Sequence, residues 1–161
     1  MVKFRPKPGQ IDYTNARWAP VINCVVLYQD KILLVQRSSR LRFYPGYWNG
    51  VSGFLDDKMS LREKVEDELT EELGIDHKNI ISVQLGQIFH QDSPEYQKTW
   101  IVHPVLVEVN TNQVILDWEA QNFQWVDLRN DRELELVPGF DLVLDKLFDS
   151  SRKPRHLSRM N

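Results

Sequence analysis

The first two apolar runs of the chain predict a β-hairpin. They cover Val21–Tyr28 and Ile32–Gln36, and only Gln29-Asp30-Lys31 separates them. Apolar runs joined by so few polar residues are typical of antiparallel strands. Residues 38–50, which contain Pro45, Gly46 and Gly50, are predicted to form a loop, and a short strand is expected over Asn49–Ser52.

Residues 61–73 show the period of an amphipathic helix. Ser60 followed by Glu63 forms a capping box, so we expect the helix to begin at about Leu61. Gly74 suits the left-handed residue that ends a helix, and Ile75 can make the apolar contact that often follows it. At about 100° per residue, one apolar stripe is formed by Leu61, Val65, Leu69 and Leu73.

The second half of the chain predicts three further strands and a final helix. Strand-like runs cover Ile80–Phe89, Thr99–Val109 and Phe123–Val126, and the segment HQDSPEYQK between the first two is predicted to be a loop. Gly139–Phe148 has apolar residues at a helical spacing. This order favours a mixed sheet with helices on both faces, although the pattern alone fits an α/β and an α+β protein equally well.

Length and composition indicate one globular domain. The 161 residues divide into an N-terminal arm over 1–15, a single domain over 16–150 and a basic tail over 151–161. The net charge of −3 gives no reason to expect general nucleic-acid binding. No signal peptide or membrane-spanning run is evident. The lone Cys24 lies in an apolar run, where we expect a buried strand residue, and this cysteine usage is typical of a cytoplasmic protein.

Three carboxylates crowd the C-terminal half of the predicted helix. Glu68, Glu71 and Glu72 have the i, i+3, i+4 spacing that places side chains on one face. On the helical wheel they border the apolar stripe, where carboxylates are unfavourable unless paired or metal-bound. Mg²⁺ or Mn²⁺ is the natural counter-ion, because hard divalent cations prefer oxygen ligands. The alternative is an ordinary acidic, solvated helix face.

The segment from Gly53 to Ile75, GFLDDKMSLREKVEDELTEELGI, resembles a Nudix box, G-x5-E-x7-R-E-U-x-E-E-x-G-U with U a bulky aliphatic residue. The matching positions are Gly53, Glu68, Leu69, Glu71, Glu72, Gly74 and Ile75. Met59 stands where the pattern has its first Glu, and Asp67 stands where it has Arg.

The resemblance implies an α/β/α sandwich and a metal-dependent hydrolase that cleaves a nucleoside diphosphate linked to another group. It implies that Glu71 and Glu72 are metal ligands and that Glu68 is a ligand or the base that deprotonates water. The backbone carbonyl of Gly53 is implied as a further ligand for Mg²⁺ or Mn²⁺. The expected partner is a nucleotide-type small molecule, and a homodimer is left open.

The two departures from the box suggest that a supporting ion pair was lost as a unit. Our hypothesis is that Lys64, one turn before Glu68, partly replaces the missing Arg; the alternative is a routine surface lysine. The departures also leave room for a second function, a degenerate Nudix domain that binds a nucleotide or partner without turnover. A Nudix-fold isomerase acting on isoprenyl diphosphate ranks lowest, because its catalytic cysteine would lie in a later strand than Cys24.

Residues around the box are candidates for substrate contacts. Arg37 at the end of the hairpin is suited to phosphate or to an ion pair. Tyr44 and Trp48 could stack on a base, although Trp48 also suits core packing, and Trp18 could line a pocket. Some Nudix families carry a further acid on a later loop, which makes Glu95 and Asp92 candidates for a metal ligand. His90 and His103 lack metal-ligand spacing and are interpreted as structural or solvent-facing.

Overall fold

A computed structural model describes residues 5–128 and 133–148. The tail over 151–161 lies outside these residues. Among the helices of the described residues, none has both the length and the apolar character that a membrane crossing requires.

The predicted hairpin is present and longer than expected. Strand β1 spans Trp18–Tyr28 and β2 spans Lys31–Arg37, so the turn contains only Gln29 and Asp30. Gln29 adopts a positive φ of 53°, which a two-residue hairpin turn requires. Strand β1 also pairs in parallel with β7, Lys98–Val109, over ten successive residue pairs. The hairpin therefore forms the centre of the sheet.

Five further strands complete an eight-stranded mixed sheet. They are β3 (Trp48–Asn49), β4 (Val51–Phe54), β5 (Ile80–Leu85), β6 (Phe89–Ser93) and β8 (Ala120–Asp127). The main path runs β3-β2-β1-β7-β5, with β4 on β1, β6 on β7 and β8 on β2. The pair β1–β7 is parallel and the other named pairs are antiparallel.

Two expectations for residues 80–98 were wrong. The single strand over Ile80–Phe89 is broken at Gly86, where an added Cβ would lie 3.1 Å from the carbonyl oxygen of Lys146 in the C-terminal helix. The expected loop after it contains strand β6 and a short 3₁₀ helix over Pro94–Tyr96. Strand β6 is polar, and it forms because its backbone pairs with the start of β7. Tertiary pairing overrides a weak local pattern here.

Helices α1, Leu61–Leu73, and α2, Phe140–Leu147, pack on opposite faces of the sheet. Alternate residues of β1 divide between two cores, as the strand period requires. One core contains Ile22, Cys24 and Val26 with Val65, Leu69 and Leu73 of α1. The other contains Val25 of β1 with Phe140, Val143 and Leu147 of α2. These layers confirm the predicted α/β/α sandwich, and Cys24 is buried as predicted.

Residues 5–15 of the predicted arm pack against the domain. The amide of Ile11 donates to the carbonyl oxygen of Asp56 at 2.6 Å. Lys98, at the start of β7, is only 2% exposed, and its Nζ donates to the carbonyl oxygens of Tyr13, at 2.7 Å, and Ala16. The ammonium also lies 5.4 Å from the ring centroids of both Phe43 and Trp100. A buried charge thus ties the arm to the sheet.

Candidate metal centre and substrate cavity

Helix α1 begins and ends where the sequence predicts. Ser60 accepts from the Glu63 amide at 3.2 Å, and Glu63 accepts from the Ser60 amide at 2.9 Å, which completes the capping box. Gly74 ends the helix in the left-handed region at φ 65°. Val65, Leu69 and Leu73 are fully buried. Burial of such side chains contributes about 1.5–3 kcal/mol each, so the apolar stripe fixes how the helix presents its carboxylates.

Two carboxylates of α1 meet a third from a distant part of the chain. Oxygens of Glu68, Glu72 and Glu119 all lie within 4.8 Å of one another. Glu68 and Glu72 are buried in the seam between α1 and the sheet, as the helical wheel predicted. Glu71 is exposed and lies outside this group of three.

Glu119 was not a sequence candidate, and its position depends on the sheet. It precedes β8, whose first residue, Ala120, pairs with Arg37 at the end of β2. The Ser38 amide donates to the Glu119 carbonyl oxygen at 2.8 Å, and the Asp117 amide donates to the Glu72 carbonyl oxygen at 3.3 Å. The sequence signal is modest: an acid directly before a strand, which becomes visible only when the predicted strand is extended back from Phe123.

The three carboxyl groups hold protons tightly. Burial raises the pKa of Glu68 to about 7. Burial and the neighbouring charge of Glu119 raise the pKa of Glu72 well above its ordinary value. Burial likewise raises the pKa of Glu119. Glu72 shares side-chain hydrogen bonds with both neighbours. Clustered anions in a low-dielectric site favour protonation or a bound cation.

Lys64 is a buried member of this site and not a surface lysine. The residue is 6% exposed, and its Nζ lies 3.5 Å from Glu68 Oε1, 3.3 Å from Asp56 Oδ1 and 3.3 Å from Asp57 Oδ2. Burial acts to lower the pKa of Lys64, but these three carboxylates together raise it. The ammonium is therefore held in its charged form beside Glu68.

Arg37 is the second cation near the carboxylates. Its Nε donates to the Phe43 carbonyl oxygen at 2.9 Å, and its Nη1 donates to Ser52 Oγ at 3.3 Å. Burial lowers the pKa of Arg37, while the charges of Glu72 and Glu119 act to raise it. A side chain held in this way is preorganised for recognition of an anion.

These groups line one cavity of about 1100 Å³. Its wall contains the carboxylates of Glu68, Glu71, Glu72 and Glu119 together with many cations and aromatic rings. The cations are Arg5, Lys7, Arg37, Arg40, Arg42 and Lys64, and the rings are those of Phe43, Tyr44, Phe54, Phe89, Trp100, Trp118 and Phe140. The arm contributes part of this wall, including Arg5, Lys7 and Gln10. The cavity thus combines positive charge, aromatic surface and a cluster of acids.

Gly53 lies directly against Glu68. A Cβ added at Gly53 would stand 2.5 Å from Glu68 Oε1. Real Cβ atoms do not approach so closely, so glycine allows the close approach of β4 and α1 at this point. The structure therefore places Gly53, Glu68, Glu71 and Glu72 on the same cavity wall.

The other sequence candidates are spread over several environments. Tyr44 lines the cavity, but its hydroxyl donates to Glu95 and contacts Ser93 Oγ at 2.6 Å. Trp48 lies in the core beside α2, and neither it nor Glu95 is part of the cavity wall. Asp92 accepts from Thr99 Oγ1 at 2.7 Å. The later acid that reaches the helix carboxylates is therefore Glu119.

Trp18 and the histidines have structural surroundings. Trp18 packs its ring edge to face against His90, with 5.3 Å between centroids, and neither residue lines the cavity. Nδ1 of His103 lies 3.1 Å from the carbonyl oxygens of Val21 and Ile101. His90 is exposed and His103 is half-buried, which fits the interpretation of the two residues as structural or solvent-facing.

The carboxylate group fits a hard divalent cation. Three oxygens within 4.8 Å of one another can approach a single ion, and positive charge would offset the repulsion between these buried carboxylates. Oxygen donors without nitrogen or sulfur favour Mg²⁺ or Mn²⁺ over softer metals.

Comparisons with known proteins agree with this geometry. The family model of the NUDIX domain matches residues 17–141. The uncharacterized Nudix hydrolase YvcI of Bacillus subtilis (strain 168) is 30% identical over 128 residues, which cover 78% of this chain and 76% of that protein.

Solved structures show the same fold at low sequence identity. The MutT protein of Methanosarcina mazei Go1 superposes with a TM-score of 0.67 at 21% identity, covering 85% of this chain and 96% of that one. The NUDIX domain of Shewanella oneidensis NrtR, solved in complex with ADP ribose, gives 0.65 at 18% identity, covering 80% and 85%.

Proposed function

The chain belongs to the Nudix family, and on that premise we propose that it is a metal-dependent pyrophosphohydrolase cleaving a nucleoside diphosphate linked to another group. The observation that carries the proposal is the meeting of Glu68, Glu72 and Glu119 within 4.8 Å at the wall of a large cavity. Like charges are unfavourable at such a distance and at such burial, so the arrangement is best explained by a role in binding a cation.

The carboxylates of this wall are the proposed cation ligands. Glu68, Glu72 and Glu119 would hold Mg²⁺ or Mn²⁺, with the carbonyl oxygen of Gly53 and the carboxylate of Glu71 as further donors. When bound, such a cation offsets the charge of a diphosphate and favours ionisation of water. Because burial raises the pKa values of the three carboxyl groups, they release protons when the cation binds.

The substrate class follows from the rest of the cavity. Arg37, held by Phe43 and Ser52, supplies donors for phosphate oxygens. The rings of Phe43, Phe54 and Trp100 lie along the same wall and pack against one another, Phe43 and Trp100 with 5.0 Å between centroids. Such a surface suits a nucleobase. The ADP ribose bound to the NrtR domain belongs to this chemical class.

The test is a substrate panel with a matched pair of variants. The protein is incubated with nucleoside triphosphates, dinucleoside polyphosphates and nucleotide sugars, including ADP ribose, with Mg²⁺ or Mn²⁺, and released nucleotide and phosphate are measured. We expect cleavage that Glu72→Gln abolishes. Glu66→Gln, which removes a carboxylate paired with Arg62 on the same helix, should leave turnover intact. Absence of product across the panel would contradict the proposal.

A second candidate function is nucleotide binding without turnover. Met59 and Asp67, which replace the acid and the arginine of the box, favour it. In that case the same panel would show binding by calorimetry and no product. Retention of the buried acidic cluster favours the hydrolase, because a binding domain gains nothing from a repulsive group of carboxylates.

We place this activity in the cytoplasm. The support is compositional: the single cysteine, Cys24, is buried and unpaired in the described structure. Fractionation of cells expressing the untagged chain would test it, and recovery in a secreted or membrane fraction would contradict it.

A further inference from the structure

The two charges that are missing from the Nudix box have counterparts three residues earlier in the sequence. The box pattern places an acid at position 59 and an arginine at position 67, eight residues apart. Here those positions are Met59 and Asp67. Asp56 and Lys64 are also eight residues apart, each three positions before its counterpart, and their side chains are 3.3 Å apart.

The Asp56–Lys64 pair is more buried than an ordinary surface ion pair. Asp56 is 4% exposed and Lys64 is 6% exposed. Buried charges persist only when their remaining hydrogen-bonding capacity is satisfied. Asp56 meets this condition because its Oδ2 accepts from Gln10 Nε2 at 2.8 Å while Oδ1 contacts Lys64. Asp57 supplies Lys64 with a further partner at 3.3 Å.

Lys64 of this pair contacts one oxygen of the carboxylate group formed by Glu68, Glu72 and Glu119. Glu68 Oε1 lies 3.5 Å from Lys64 Nζ on one side and against Gly53 on the other. A carboxylate confined in this way has little freedom to rotate, so the orientation of Glu68 is set before any cation arrives. Partners that orient ligands in this way commonly affect metal affinity and activity.

We propose that Asp56 and Lys64 form a relocated positioning pair that replaces the acid–arginine pair of the box and orients Glu68 for the divalent cation. The proposal rests on the proposed function only as far as cation binding, not on turnover. It explains how the box can lack both of its usual charges while the carboxylate group stays assembled.

The proposal is tested by removing the ion pair at positions 56 and 64 and then building it at positions 59 and 67. The double variant Asp56→Asn/Lys64→Met keeps the net charge and removes both members of the pair together, so that neither is left buried without the other. Binding of Mn²⁺ to the metal-free protein is followed by electron paramagnetic resonance of the free ion, which requires no substrate. We expect affinity to fall about 10- to 100-fold, the range typical when an orienting partner is removed.

Adding Met59→Glu and Asp67→Arg to the double variant should restore affinity to within about threefold of the wild type, because the usual pair then reaches Glu68. Arg62→Met, which removes an exposed cation of the same helix, is the control and should not change Mn²⁺ binding. Thermal unfolding of each variant confirms that the fold is retained.

Two results would overturn the proposal: unchanged Mn²⁺ affinity in the double variant, or a folded fourfold variant that recovers nothing. Should the double variant unfold, Lys64→Arg against Lys64→Gln decides the question, since only the charged replacement should retain affinity. If the wild-type chain binds Mn²⁺ and cleaves nothing, the hydrolase is refuted, and the Mn²⁺ affinities of the variants still decide whether the positioning pair exists.

Discussion

Two regions of the cavity wall, the carboxylate end and the arm end, differ in how the chain builds them. At the carboxylate end, α1 supplies Glu68, Glu71 and Glu72 from five consecutive positions. At the arm end, residues 5–15 are held by Lys98, which bonds Tyr13 and the adjoining Ala16 and lies more than eighty residues away in sequence. The helix carboxylates therefore follow from local spacing. Glu119, which completes the carboxylate group, and the wall formed by the arm both depend on contacts between segments distant in sequence.

Glu119→Gln at the carboxylate end is expected to have the largest effect on turnover. Loss of the third oxygen is expected to lower turnover by about 100-fold, and to leave the packing of the arm on the domain unchanged. Steady-state kinetics with the best substrate of the panel measures this. Glu95→Gln removes a later-loop acid that lies outside the cavity wall and serves as the control. Equal losses in both variants would show that Glu119 has no special role.

Lys98→Met is expected to loosen the packing of the arm on the domain. The carbonyl oxygens of Tyr13 and Ala16 would lose a charged donor, which is expected to lower the free energy of unfolding by about 1–3 kcal/mol. As the arm loosens, KM should rise about tenfold, equivalent to about 1.4 kcal/mol of binding. Mn²⁺ affinity should fall much less, because the arm reaches Glu68 indirectly, through Asp56 and Lys64. Denaturant titration and kinetics measure the two effects.

The control for this variant is Lys78→Met, which removes an exposed lysine. A rise in KM accompanied by an equal loss of Mn²⁺ affinity would contradict the separation of the two ends.

Gly53→Ala should disturb the carboxylate end through shape alone. The new Cβ would stand 2.5 Å from Glu68 Oε1 and must displace it, so Mn²⁺ affinity is expected to fall about tenfold. Gly46→Ala, at a positive-φ glycine with open space around it, should reduce stability without changing Mn²⁺ affinity. Metal titration of both proteins distinguishes backbone strain from a specific effect on the site.

The smallest expected effect is a pH dependence confined to the carboxylate end. Burial raises the pKa of Glu68 from 4.5 to about 7, and that of Glu72 also rises. Between about pH 4.5 and about pH 7, the folded protein binds more protons than the unfolded chain. The free energy of unfolding of the metal-free protein therefore falls as the pH rises through this range. The expected decrease is on the order of 1 kcal/mol.

Thermal unfolding in the presence of a chelator measures this slope. Glu72→Gln should flatten it, because one of the titrating groups is gone, and added Mg²⁺ should stabilise the wild type more at the higher pH. Identical slopes in the two proteins would show that the cluster does not titrate as described.

The same division explains what the sequence could predict. Helix α1, its capping box, Gly74 and the buried position of Glu68 and Glu72 follow from local spacing, and all are present in the structure. Glu119 could not be found in this way because only the pairing of β8 with β2 brings it to α1. Strand β6 was missed for a similar reason, since its polar residues form a strand only beside β7.

Lys64 illustrates an intermediate case. Its position on the helix predicted an interaction with Glu68, which the 3.5 Å separation confirms. The partners that make its burial tolerable, Asp56 and Asp57, depend on the path of the loop between β4 and α1, which no periodic pattern describes. Local spacing therefore identified the contact but not the network that supports it.

Because the arm lines the cavity, it offers an inhibitor contacts beyond the carboxylates. The family match begins at residue 17, whereas Arg5, Lys7 and Gln10 line the cavity from outside it. An inhibitor that binds only the carboxylates would contact the part of the chain that the family model describes. One that also reaches the arm would contact a surface outside that part.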